Sequence, residues 1–296
     1  MIHRIVHFLI LLSMITFANE PKTIMLWKVE HHNLAKSSYL FGTFHTADKK
    51  INELPGKVMS LLISTETLYT ETNITQKSYE TIQTFMKSPE LLPLKSRLSP
   101  SIYKDLKQHL TQLNTPFSEH GLSLFKTWAI ALILTKHAES ATNPHALFMD
   151  ERLVKYAIEH SVPSLGLETP IEQLIYFDRL TFQEQELLLF DAMRQIDDDQ
   201  YMQALKAWYI KGNLSGFKEL QHQFQDKDPN IRRLDEKLFA SLLNERNSRF
   251  AQRIDLVLQT NPKKNHFFAI GVGHLAEENG LITLLEAKGY RLSKVD

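Results

Sequence analysis

The alternation of apolar and polar positions predicts strands near both ends of the chain. Apolar residues dominate 23–30 and 38–44, and the polar turn between these runs is typical of a β-hairpin. Shorter runs rich in apolar and β-branched residues predict further strands, at 65–72, 162–167, 267–270 and 290–295. The strand at 162–167 is the one that lies in the middle of the chain.

Most of the middle of the chain has apolar residues at helical spacing. This period predicts helices at 54–64, 79–86, 101–113, 122–137, 147–160, 204–210, 214–224, 230–259 and 276–288. Strands at both ends with helices between them predict an α/β fold, with a mixed central sheet formed by the N- and C-terminal segments and a large helical insertion. We expect residues 19–296 to fold as one domain, because no linker of low complexity divides them.

The long helix predicted at 230–259 carries polar residues where its apolar face should continue. The stripe on this face consists of Phe239, Leu243, Phe250, Ile254 and Val257. Helical spacing places its next inward position at Arg246 or Asn247. A guanidinium and an amide are costly to bury unless they are paired, so this interruption indicates a site beside a carboxylate or a substrate carbonyl. The alternative is an arginine at the edge of the stripe whose charged end reaches water.

The first eighteen residues have the pattern of a secretory signal. A short basic start precedes a mostly apolar run at 5–15, and Thr16-Phe17-Ala18 offers a small-residue cleavage site before Asn19. The run is shorter than the roughly 20 residues of a membrane span. We therefore expect a periplasmic or secreted protein without a stable membrane span after signal cleavage. An uncleaved anchor and a buried first strand are the alternatives.

Composition excludes several classes of function. The chain has 296 residues, of which 34 are basic and 34 acidic, and this balance gives no support to a nucleic-acid-binding protein, which needs a concentrated basic face. It contains no cysteine, which excludes disulfides, thiolate metal sites and cysteine nucleophiles. We expect a peptide or a small molecule as substrate, and no nucleic-acid partner.

Four ionisable residues share one position relative to the predicted strands. His45 and His274 close two Gly-x-x-His motifs, which follow strands at opposite ends of the chain, and Glu71 and Glu168 end two other strands. The carboxyl ends of parallel strands meet at one edge of an open sheet, where such folds bind their ligands. Two imidazoles with carboxylates suit a divalent metal with an open position for water. They equally suit metal-free hydrolysis with a histidine as general base.

Two of these assignments have simpler alternatives. His45 and His274 can be turn histidines whose polar atoms are satisfied by the backbone. Asp150, in the first turn of the helix predicted at 147–160, suits either a favourable interaction with the helix dipole or a catalytic role.

Taken together, the motifs resemble the TraB/GumN family, which is related to the TIKI proteins. The resemblance rests on Leu26-Trp27-Lys28-Val29, Tyr39 to His45, Leu54-Pro55, Glu71, Gly166-Leu167-Glu168-Thr169, Glu172-Gln173-Leu174, Arg246-Asn247, Phe268 to Leu275, Gly280 and Gly289-Tyr290. It spans nearly the whole chain after the signal. One departure is Thr127, where the family pattern has a proline before the tryptophan.

The resemblance implies a hydrolase-like α/β fold with both histidines and a glutamate at one site. Some relatives are metal-dependent proteases, so the first hypothesis is an exported metallopeptidase with a divalent metal on His45, Glu71 and His274. Such a metal lowers the pKa of bound water and polarises the scissile carbonyl. Glu168 is then the general base or an orienting residue. Arg246 and Asn247 would stabilise the oxyanion or hold a substrate carboxylate.

Two other hypotheses remain open from the sequence. One is a protein that binds haem or a metal through the same histidines without turnover. The other is a metal-free esterase with a histidine as base. Metal content, a haem absorbance scan and activity in a chelator separate the three.

Overall fold

The computed structural model of the protein describes residues 24–295 except 47, 74, 91, 113–116, 142–146, 199 and 277. The predicted signal sequence and its cleavage site lie outside the described residues. Within the described part of the chain, no helix is long and apolar enough to cross a membrane.

The centre of the fold is a six-stranded mixed sheet. Its strands are β1 (Leu26–Glu30), β2 (Ser38–Thr43), β3 (Thr67–Thr72), β4 (Ser164–Glu168), β5 (His266–Gly271) and β6 (Arg291–Lys294). They lie in the order β4-β3-β5-β2-β1-β6. The sheet confirms the predicted α/β fold, including the antiparallel hairpin of β1 and β2, which pairs Leu26 with Phe41.

Parallel pairing brings the ends of four strands to one edge of the sheet. β4 pairs with β3, β3 with β5 and β5 with β2, all in parallel. Their last residues therefore point the same way, and the C-terminal half of the chain is joined to the N-terminal half at β2 and β5. The register sets Thr43 opposite Gly271, so the two Gly-x-x-His motifs begin on neighbouring strands.

Helices account for most of the rest of the described chain. They are α1 (Lys49–Asn52), α2 (Gly56–Ile63), α3 (Gln76–Met86), α4 (Leu94–Arg97), α5 (Pro100–Gln112), α6 (Glu119–Ser123), α7 (Thr127–Ala141), α8 (Met149–Glu159), α9 (Pro170–Asp178), α10 (Phe182–Asp197), α11 (Gln200–Ile210), α12 (Phe217–Gln223), α13 (Pro229–Phe239), α14 (Arg246–Thr260) and α15 (Leu281–Glu286). Two differences from the prediction matter here. The helices α9 and α10 were not predicted, and the single helix predicted at 122–137 is divided into α6 and α7.

The long helix predicted at 230–259 is interrupted by a π-helical segment. Between α13 and α14 the residues Ala240–Glu245 form π-helical turns, and Arg246 is the first residue of α14. A π-helical turn accommodates extra residues and rotates the side chains that follow, and such turns are frequent at functional sites. Arg246 and Asn247 are both buried, with 3% and 2% of their surface exposed. The predicted interruption of the apolar face is therefore a buried polar pair.

Two groups of buried apolar residues stabilise these layers. The larger group packs the sheet against α2, α8, α14 and α15, and includes Leu62, Leu153, Phe250, Ile254, Phe268 and Leu285. The smaller group joins α5, α7 and α10 through Leu106, Ile130, Leu134, Leu189 and Met193. The edge of the sheet at which β2 to β5 end lies next to the start of α14, and this is where the candidate site is found.

Candidate functional site

Arg246 is the centre of a buried polar cluster. Its guanidinium donates five hydrogen bonds. Nε and Nη2 donate to Oε1 of Glu168 at 2.9 and 2.6 Å, and Nη2 also donates to Oε2 of Glu71 at 2.6 Å. Nη1 donates to the carbonyl of Leu242 and to Nε2 of His274, both at 3.0 Å. A guanidinium has five N–H groups, so Arg246 has no donor left over. One arginine thus connects the ends of β3, β4 and β5.

Glu168 is held between two arginines. Oε1 accepts from Arg246, Oε2 accepts from Nη2 of Arg249 at 2.6 Å, and the carboxylate is fully buried. Arg249 also donates to the Tyr176 hydroxyl at 3.0 Å. Both oxygens of Glu168 are engaged and shielded from water, so this geometry suits the orienting role better than that of a base. Glu71 and Glu168 balance the charges of Arg246 and Arg249, as a buried charge cluster requires.

The hydrogen-bond partners of His274 fix the tautomer of its neutral ring. Arg246 can only donate, so Nε2 of His274 is an acceptor. Nδ1 then carries the proton and donates to Oδ1 of Asn247 at 2.5 Å. Burial lowers the pKa of His274 to about 4, and the Arg246 charge acts in the same direction, although Glu71 opposes it. At neutral pH His274 is therefore an uncharged imidazole whose Nε2 lone pair is occupied.

The pKa of His274 predicts how stability depends on pH. The unfolded chain takes up this proton near pH 6.5, whereas the folded protein takes it up only at about 4. The free energy of unfolding should therefore fall as the pH drops from 6.5 to 4, by roughly 3 kcal/mol for this group. Burial lowers the pKa values of His109 and His266 as well. Titration of the His274 ring by NMR isolates its share, and a midpoint near 6.5 would contradict the assignment.

Glu71 approaches the backbone at the end of β5 closely. Its Oε1 accepts from the N–H of Gly271 at 2.7 Å, and a Cβ at position 271 would lie 2.9 Å from that oxygen. The second Gly-x-x-His motif therefore begins with glycine because a side chain there would displace Glu71. Burial opposes ionisation of Glu71. The charge that His274 takes up below about pH 4, the charges of Arg246 and of protonated His45, and the Gly271 N–H outweigh burial and lower the pKa of Glu71 to about 2.

His45 stands apart from the buried cluster and faces solvent. Its side chain is 58% exposed, and Nδ1 lies 3.1 Å from Oδ2 of Asp150. Asp150 in turn accepts from the Thr43 hydroxyl at 2.9 Å through Oδ1. His45 is near enough for its charge to lower the pKa values of both Glu71 and His274. His45 is thus the exposed member of the four predicted residues.

A large cavity opens beside the cluster. Its volume is about 1000 Å³, and Asn247 and Gly273 form part of its wall together with Phe217 and Leu243. Farther along, the wall carries charged residues of α10, including Asp191. The cavity has room for an extended ligand next to the residues that hold His274.

The whole described fold matches one family of proteins. The model of the TraB/PrgY/gumN family matches residues 25–294, which include every strand and every residue of the cluster. The chain belongs to the TraB/PrgY/gumN family. This match confirms the family that the sequence motifs resemble.

The chain is similar to curated proteins that are named metalloproteases. The chain is 24% identical to Metalloprotease TIKI2 of Danio rerio over 90% of its own length and 60% of that protein. It is 22% identical to the Metalloprotease TIKI homolog of Amphimedon queenslandica, over 94% of its own length and 62% of the relative. The chain thus spans about six-tenths of the length of these relatives. No solved structure is significantly similar to it.

The predicted metal ligands do not fit a metal in this arrangement. His274 Nε2 accepts from Arg246, and both oxygens of Glu71 accept N–H groups. His45 contacts Asp150 instead. Among the residues that the structure describes, no three histidine, aspartate or glutamate side chains are placed to hold a metal ion. The positive charge between Glu71 and His274 is the Arg246 guanidinium.

The structure brings five of the six predicted site residues into contact: Glu71, Glu168, Arg246, Asn247 and His274. His45 is linked to them through charge rather than through a hydrogen bond. Two residues of the site, Arg249 and Asp150, were not among the six predicted site residues. Arg249 lies three residues after Arg246, on the same helix face. Asp150 was left open between a helix-dipole role and a catalytic one.

Proposed function

We propose that this protein is a hydrolase that cleaves peptide bonds with His45 as its general base. The observation that carries the proposal is that the site has two parts. One part is the exposed imidazole of His45, which contacts the Asp150 carboxylate. The other is the buried, charge-balanced cluster around Arg246. The names of the relatives support peptide bonds as the substrate class. The cavity beside Asn247 offers room for an extended chain next to the buried cluster, although His45 is not part of its wall.

The chemistry follows from the position of His45. The imidazole removes a proton from water, and the resulting hydroxide adds to the scissile carbonyl carbon. When the C–N bond breaks, His45 returns the proton to the leaving amine, so that it is neutral again at the end of the cycle. The ionised Glu71, which lies within reach of the His45 charge, stabilises the imidazolium in between.

The buried cluster has a supporting role in this mechanism. Arg246 fixes Glu71 and Glu168, and Asn247 fixes the ring of His274. Because all five N–H groups of Arg246 are engaged, its predicted role as an oxyanion donor requires one of those contacts to open when substrate binds. That role and the orienting role of Glu168 remain predictions.

A metal-dependent form of the same reaction is the second candidate, and the names of the relatives favour it. The test is hydrolysis of a peptide mixture in ¹⁸O-water by purified protein, with and without a chelator, together with elemental analysis. We expect ¹⁸O in the new carboxyl groups and activity that survives the chelator. Activity that is lost on chelation and restored by a divalent metal would select the second candidate.

A protein that shows no hydrolysis would point to the third hypothesis, a binding protein. Protein that holds haem or a metal stably but cleaves none of the peptides or esters offered would contradict the hydrolase proposal and favour the binding protein. An absorbance scan and the elemental analysis detect this outcome in the same sample.

We also propose that the protein is exported, because residues 1–18 have the pattern of a signal sequence. The mature chain should then begin at Asn19. Mass spectrometry of the exported protein measures this directly, and a chain in the membrane fraction that retains Met1 would contradict it.

A further inference from the structure

Asp150 is half-buried and is not used as a helix cap. It lies in the first turn of α8, where an acid can serve the helix dipole. However, the cap of this helix comes from Glu151, whose carboxylate accepts from the N–H of Phe148 at 2.9 Å. The Asp150 carboxylate reaches across to β2 instead, where Oδ1 accepts from the Thr43 hydroxyl.

The second oxygen of the Asp150 carboxylate faces the ring of His45. Oδ2 is buried and has no hydrogen-bond partner among the described residues. Its contact is Nδ1 of His45, at 3.1 Å. Burial raises the pKa of Asp150, while the His45 charge and the Thr43 hydrogen bond lower it. A buried carboxylate oxygen that lacks a donor is costly, so the ionised form favours a proton on Nδ1 of His45.

The geometry points to Asp150 as the positioning residue of His45: its buried carboxylate keeps the proton on Nδ1 and leaves Nε2 as the acceptor nitrogen of the ring. The effect on catalysis rests on the proposed function, whereas the tautomer does not. Neutral imidazole carries its proton on one nitrogen, and the hydrogen bond made by that nitrogen decides which. Thr43 fixes the carboxylate, and the carboxylate fixes the ring.

An isosteric substitution separates this role from packing. In Asp150→Asn the amide oxygen can still accept from Thr43, which turns the amide N–H₂ toward Nδ1 of His45. An N–H group cannot accept, so Nδ1 must give up its proton and Nε2 must take it. The volume of the side chain is nearly unchanged, so the fold and the substrate contacts should persist.

Two readouts test the proposal on the whole protein. The first is ¹⁵N NMR of the His45 ring above pH 8, in wild type and in Asp150→Asn. We expect the Nδ1–H tautomer in wild type and a shift to Nε2–H in the variant. The second is kinetics on the best peptide substrate, for which we expect kcat to fall about 10²- to 10⁴-fold with little change in KM. Asp228→Asn, an exposed helix cap of α13, is the control and should match wild type in both.

Each outcome bears on one claim. The same tautomer in wild type and variant would overturn the positioning role, whatever the kinetics. The expected tautomers with an unchanged kcat would overturn its importance for the reaction and leave His45 as a base that needs no support. If no substrate is cleaved by wild type, the proposed function fails and the NMR result still decides the tautomer.

Discussion

Replacing Arg246 by methionine should destabilise the protein by about 3–5 kcal/mol, because it removes the counter-charge of Glu71 and leaves Glu168 with Arg249 alone. Both Glu71 and Glu168 accept from this one guanidinium, which is almost fully buried. Urea unfolding of wild type and variant measures the difference. Arg246→Lys should also be clearly destabilised, since an ammonium cannot make five contacts in the planar arrangement of a guanidinium.

Two further variants show whether buried charge is the cause. Adding Glu71→Gln to Arg246→Met should recover part of the lost stability, because it removes one uncompensated charge. Arg291→Met deletes an exposed arginine that pairs with Glu30, and it should cost no more than about 1 kcal/mol. If Arg246→Met were as mild as Arg291→Met, the cluster would not be held together as we describe.

Replacing His45 by glutamine should lower kcat by about 10²- to 10⁴-fold, since an amide cannot accept the proton of the attacking water. The side chain is mostly exposed, but its Nδ1 faces the buried Oδ2 of Asp150, so the free energy of unfolding should fall by no more than about 1–3 kcal/mol. Activity on the peptide substrate and a urea unfolding curve, measured on the same preparation, test both statements.

The matched control for this variant is His120→Gln. His120 is exposed on α6, within the helical insertion. It should retain wild-type activity and stability. A His45→Gln protein that is folded and fully active would remove His45 from the mechanism.

The sequence predicts the sheet well because its strands are short apolar runs that end at glycine, glutamate or polar turns. It misses α9 and α10 because clustered apolar residues, such as Leu187 to Phe190, hide the helical period. Both helices nevertheless begin with a threonine followed three residues later by glutamate, at Thr169 and Thr181, and the structure shows both capping boxes. That signal could have located them.

The buried part of the site was accessible to sequence reasoning for a simple reason. A polar residue that interrupts an apolar helix face needs a polar partner when it is buried, and a residue at the end of a parallel strand lies at the edge where such partners gather. Arg246 and Glu71 could therefore be assigned to one crevice. The partners of each residue could not be assigned, because contacts between α14 and the strand ends depend on the rotation introduced by the π-helical turns. For the same reason the pairing of His45 with Asp150, rather than with His274, emerges only from the fold.

The central claim is that His45 is the reactive histidine and that His274 is buried and occupied. Acylation of histidines by diethyl pyrocarbonate, mapped by peptide mass spectrometry over time and compared with the remaining activity, tests both halves at once. We predict that activity is lost at the rate at which His45 is modified, while His274 stays unmodified. Activity that persists after His45 is fully modified, or loss that follows His274 instead, would contradict the account.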